Sequence, residues 1–81
     1  MTLTIELEAK TKALRAQDIS EVAICCDKEG LAFLIEKLES LRNGPDHCHL
    51  MTPSWAGTDL TETKQGGDDY VLVNHLRIVR M

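Results

Sequence analysis

The feature that most constrains this chain is one apolar stripe set between a start signal and a stop signal. Leu31, Leu34, Ile35, Leu38 and Leu41 recur at three- and four-residue steps, which puts them on one face of an α-helix. Asp27 supplies an N-cap oxygen for the free N–H groups of the first turn. Asn43-Gly44-Pro45 ends the helix, because Gly tolerates a left-handed position just past it and Pro cannot continue the ladder. Glu29, Glu36, Lys37 and Glu39 occupy much of the remaining helix surface. A lone helix with one such stripe must bury it against a sheet, so the rest of the chain has to supply strands.

Strand patterns stand on both sides of it. Leu3, Ile5, Leu7 and Ala9 alternate with Thr2, Thr4, Glu6 and Glu8, which predicts a strand with one apolar face and one wet face. Residues 10–20 read as a connection, in which Ala13, Leu14, Ala16 and Ile19 also fit a helical turn or an extension of either flanking strand. Glu21 to Cys26 is a short strand with apolar groups on both faces, which suits an interior position. Asp46 to Thr52 places Cys48 and Leu50 on one face and His47, His49 and Met51 on the other. Residues 52–69, with Pro53, Gly57, Gly66 and Gly67, lack periodicity, and a loop that long is uncommon unless it is functional or disordered. Tyr70 to Val79 then alternates as a last strand.

The order β-β-α-β-β predicts an α+β, two-layer sandwich: one four-stranded mixed sheet, its central strands parallel through the helical crossover, covered on one face by the amphipathic helix. The expected core is Leu3, Ile5, Leu7, Val22, Ile24, Cys48, Leu50, Leu72, Leu76 and Ile78. The opposite face would then carry Ala23, Cys25, His47, His49, Met51, Val71, Val73, His75 and Val79, apolar enough to suggest a partner or a homodimer through this open face.

Length and charge narrow the function. Eighty-one residues make a single domain, 1–81. Thirteen acids against nine Lys and Arg give a net charge of −4, which works against nucleic acid or an anionic membrane as partner. MTLTIELEAK has neither the basic start nor the unbroken apolar run of a signal peptide, and no stretch approaches a membrane span. The expected location is the cytoplasm, with Cys25, Cys26 and Cys48 reduced.

Chemistry is sparse. His47-x-His49 with His75 on the same predicted face brings three imidazoles together, but no carboxylate or cysteine completes a zinc pattern. They read as sheet-face histidines donating to carbonyls or partner groups, with no metal and no cofactor expected. Nothing in the sequence brings Cys25 or Cys26 to a histidine base. Asp59, Glu62, Asp68 and Asp69 are too dispersed for a calcium loop and read either as a solvated loop or as an acidic rim around Trp55. Trp55 itself reads either as a plug of the core edge or as a binding anchor. An interaction protein, not an enzyme, is the expectation.

HCHLMTPSWAG, the DLTETKQG stretch and VNHLRIV, together with the preceding CDKEGLAFLIEKLESL, resemble the immunity protein thirty-two family of bacterial polymorphic-toxin systems. The resemblance runs from about Cys26 to Val79. It departs at Ala56-Gly57, where a glycine pair is expected after the tryptophan. The resemblance implies a small cytoplasmic protein that protects its cell by binding a cognate toxin, and it brings no catalytic residues. Trp55, Asp59, Glu62, Asp68 and Asp69 are the expected contacts, with the His47, His49 and His75 face second.

Overall fold

The structure is a computed structural model that describes residues 1–9 and 19–81. Most of the connection expected between the first two strands lies outside the described residues. The elements in chain order are β1 (Leu3–Ala9), β2 (Ile19–Cys26), α1 (Lys28–Asn43), β3 (His47–Met51), β4 (Tyr70–Val73) and β5 (His75–Val79).

The helix forms as its pattern requires. Asp27 Oδ1 accepts from the Gly30 N–H at 2.7 Å, and its other oxygen accepts from the Thr2 N–H at 3.0 Å, so one carboxylate caps α1 and ties down the N-terminal strand. Those two N–H donors hold the Asp27 carboxyl below its ordinary value. At the other end the Arg80 guanidinium donates to the Leu41 carbonyl at 2.8 Å, satisfying one of the last-turn acceptors. Gly44 is not left-handed: its φ is −110°. Glycine is needed there because a Cβ would come within 2.5 Å of the Ser40 carbonyl oxygen.

The expected four-stranded mixed sheet is not what forms. The architecture is α+β, but with two small antiparallel sheets, β2-β1-β4 and β3-β5. The flanking strands β2 and β3 of the helix lie in different sheets and are not a parallel pair. The cause lies in the loop and in the last strand. Thr61 takes the place beside β1 that the end of that strand would fill: its N–H donates to the Leu3 carbonyl at 2.8 Å, and its Oγ1 accepts from the Leu3 N–H at 2.9 Å. The last strand therefore leaves β1 after Val73, bends at Asn74 and pairs with β3 instead. Buried Thr52 holds the bend, its N–H on the Asn74 carbonyl at 3.0 Å and its hydroxyl on the Asn74 side-chain oxygen at 2.8 Å.

The bend changes which residues face the core. β4 presents Val73, paired with Ile5, while β5 presents Leu76 and Ile78. Leu72, expected in the core, pairs with Glu6 on the other face of the sheet. The core is Leu3, Ile5, Leu34, Leu50 and Leu60, with Phe33, Cys48, Val73, Leu76 and Ile78 packed around it. Leu60 joins from the long loop, which is thereby pinned. Val22 and Ile24, also expected inside, are exposed, as are Leu31, Ile35 and Leu38 of the helix stripe; α1 buries only the Leu34–Leu41 side of that stripe.

The face of β1 expected to be wet is also covered. Thr4 and Glu6 are fully buried. Residues 65 and 66 fold over them, and the Gln65 and Gly66 N–H groups donate to the Glu6 carboxylate at 2.9 and 2.8 Å. The Thr4 hydroxyl adds a third donor at 2.5 Å. A buried carboxylate with three donors is stable as an anion. Burial pushes its pKa up, but Thr4, Gln65 and Gly66 outweigh burial and hold the group below the ordinary carboxylate value.

Candidate contact surface

The outer face of the β3-β5 sheet gathers the histidines. Antiparallel register places His47 opposite Val79, His49 opposite Arg77 and Met51 opposite His75. Because alternate residues share a face, His47, His49, Met51, His75, Arg77 and Val79 form one surface. His49 Nδ1 lies 2.8 Å from His75 Nε2, a hydrogen bond in which one imidazole donates and the other accepts. The His47 and His49 rings meet edge-on with centroids 5.2 Å apart. His47 Nδ1 reaches the Asp46 carboxylate at 2.8 Å. Burial, then the charges of His75, His47 and Arg77, push the His49 pKa below its ordinary value.

Trp55 arrives on the same surface by a tight turn. Pro53–Trp55 is a single turn of 3-10 helix opened by Pro at its first positions. Thr52 O accepts from the N–H groups of both Trp55 and Gly57 at 2.9 Å, which folds the chain back on itself. The indole comes to rest with its centroid 6.1 Å from His75. It stays 55% exposed, so it does not plug the core. Ala56 closes the turn at φ 63°, the left-handed conformation that glycine adopts without strain. Gly57 must be glycine for a different reason: a Cβ would meet the Met51 carbonyl oxygen at 2.3 Å.

The loop acids do not surround the tryptophan as a group. Glu62 accepts from the Ser54 hydroxyl at 2.5 Å and stands beside the Trp55 turn. Asp59 turns toward the helix, 3.8 Å from Lys37 Nζ. The Asp69 carbonyl accepts from the Ala9 N–H, which puts Asp69 and its neighbour Asp68 at the far end of β1 from Thr61. Met51 and Val79 lie on this surface as strand parity placed them, and Arg77 is the member that the sequence reading of that face left out. The parity of Arg77 with His75 and Val79 was the available signal.

Little chemistry is assembled. Among the described residues, no group of three or more His, Cys, Asp or Glu side chains is arranged to hold a metal ion. The Cys25 thiol is pushed up by burial, with the Glu6 charge adding to the effect, so it is a poor nucleophile. The three cysteines are free. No helix among the described residues is long and apolar enough to cross a membrane.

The fold and this surface define a class: small α+β proteins in which a pinned loop holds an exposed indole against an imidazole cluster. Residues 21–76 match the family model Immunity protein 32, and the chain belongs to that family. No curated protein and no solved structure matches it.

Proposed function

We propose that this chain is a non-catalytic immunity protein that binds a cognate bacterial toxin in the cytoplasm and neutralises it by occluding the toxin's active surface. The family match supports the immunity role. The observation that carries the mode of action is Trp55, more than half exposed yet fixed in place by the Thr52 carbonyl and the Pro53 turn. Ordering a large side chain before binding removes an entropic cost of association, and tryptophan is a frequent hot-spot residue.

His47, His49 and His75 would form the rest of the contact, with Arg77 and Glu62 at its border. Asp59, Asp68 and Asp69, nominated from sequence, would act from outside the patch; with the net charge of −4 they would speed capture of a basic toxin. The protein partner in this reading is a cognate toxin domain, and neither nucleic acid nor membrane has a role.

The test is co-expression of that toxin domain with wild-type or variant chain in a sensitive host. Wild-type should restore growth, Trp55→Ala should fail to, and Asp68→Ala should resemble wild-type. Full protection by Trp55→Ala at equal protein level would overturn the assignment of the contact.

A further inference from the structure

The Trp55 surface holds a pair of imidazoles whose bond depends on how many protons they share. His49 Nδ1 and His75 Nε2 lie 2.8 Å apart. With both rings neutral, an N–H of one donates to the lone pair of the other. A first added proton keeps that bond and makes it charge-assisted. A second leaves two N–H donors facing each other with no acceptor, and puts like charges on rings whose centroids are 5.0 Å apart. The pair therefore takes up one proton with its bond intact and loses the bond at the second, so its titration belongs to the pair and not to either ring.

The groups around the pair work against the second proton. On β3, the His47 ring meets His49 edge-on with centroids 5.2 Å apart. On β5, Arg77 stands opposite His49 in the register and carries a fixed positive charge. Asp46 is the carboxylate that meets the cluster, and among the described residues it bonds His47 and not the pair. In the loop, the Glu62 carboxylate beside the Trp55 turn is taken by the Ser54 hydroxyl. Local desolvation, then the charges of His75, His47 and Arg77, hold His49 below its ordinary value, in keeping with this geometry. The Trp55 indole lies with its centroid 6.1 Å from His75, so the state of the pair reaches the exposed anchor of the surface.

We infer that the His49–His75 pair makes the Trp55 surface a proton-gated contact: the surface binds its partner while the pair holds at most one proton, and the second proton breaks the bond that positions His75 beside the indole. The inference rests on the reading of this surface as the toxin contact. Full protonation adds a further effect, because His47, His49, His75 and Arg77 are then all cationic and face a single Asp46 carboxylate. A basic toxin is repelled by that form and accepted by the neutral one. Where the complex excludes one proton, affinity falls by up to ~10-fold for each pH unit below the second titration step.

Trp55 is the only tryptophan, so its fluorescence reports the pair with no toxin present. From about pH 8 to about pH 5, the range in which histidines titrate, emission of the full chain should change with uptake of more than one proton while its circular dichroism spectrum stays constant. His75→Ala should abolish the change, His49→Ala should reduce it to a one-proton transition, and Glu62→Gln should leave it as in wild-type. If a variant fails to fold, NMR titration of the wild-type imidazole C–H signals keeps the test: His49 and His75 should titrate in two coupled steps. Calorimetry with the cognate toxin domain should then show wild-type affinity at least ~10-fold lower one to two pH units into the acid limb, with a shallower slope in His49→Ala. Emission that ignores pH, a change that persists in His75→Ala or vanishes in Glu62→Gln, or independent one-proton NMR curves overturn the inference. So does a pH-independent affinity for a complex that Trp55→Ala disrupts, whereas a complex that Trp55→Ala leaves intact overturns the contact reading beneath it.

Discussion

Glu6 shows how one residue can couple distant parts of this chain. Its carboxylate is gripped by N–H groups 59 and 60 positions later, and that grip folds the end of the long loop over β1. Glu6→Gln would turn an amide N–H₂ toward at least one donor, and the loss should be about 1–3 kcal/mol of stability in urea unfolding. The sign of the pH effect follows from the depressed pKa. The contribution is present above the ordinary carboxylate value and is lost as pH falls through the lower, folded value. Acid unfolding of Glu6→Gln should therefore be shallower than that of wild-type. His49 behaves analogously on the opposite face. Its pKa is held below the ordinary 6.5 by partial burial and by His75, His47 and Arg77, with Asp46 and Trp55 the other neighbours of the cluster. Its neutral form is favoured on folding, so this contribution is present above pH 6.5 and declines as pH falls through the folded value. NMR titration should place His49 below 6.5, and His75→Ala should move it upward; no movement would remove the coupling.

Elements were legible to different degrees. The helix was, because cap, stripe and stop lie within nineteen contiguous residues, Asp27 to Pro45, and local pattern decides a helix. The histidine surface was too, since strand parity alone brings His47 and His49 together and the β5 register adds His75. The sheet was not. Tyr70 to Val79 alternates without a break, yet Asn74 is a bend because Thr61 has already taken the edge of β1 beside Leu3. That competition joins residues 58 positions apart, and periodicity carries no trace of it. The same distance hid the cover over Thr4 and Glu6. The Trp55 turn lies between these cases. Ala56, where the family resemblance leads one to expect glycine, sits at φ 63°. The left-handed conformation costs a non-glycine residue ~1–2 kcal/mol, partly offset by the extra unfolded-state freedom of glycine. Ala56→Gly should therefore raise stability by about 0.5–1 kcal/mol, measured by thermal melting, without moving the indole.

At the scale of the whole molecule, the two sheets present different surfaces. The outer face of β3-β5 carries Trp55 and three histidines, while one face of β1 is covered by residues 65 and 66. Both depend on the long loop: Thr52 sets the turn that lifts Trp55 over His75, and Gln65 and Gly66 close over Glu6. The central claim concerns Trp55 and is tested by measuring two quantities on one variant. Calorimetric titration of the cognate toxin domain into Trp55→Ala should show affinity reduced at least ~30-fold, the ~2 kcal/mol of a hot-spot residue, while its melting temperature stays within a few degrees of wild-type. Unchanged affinity, or a fall in melting temperature that accounts for the whole loss of binding, would contradict it.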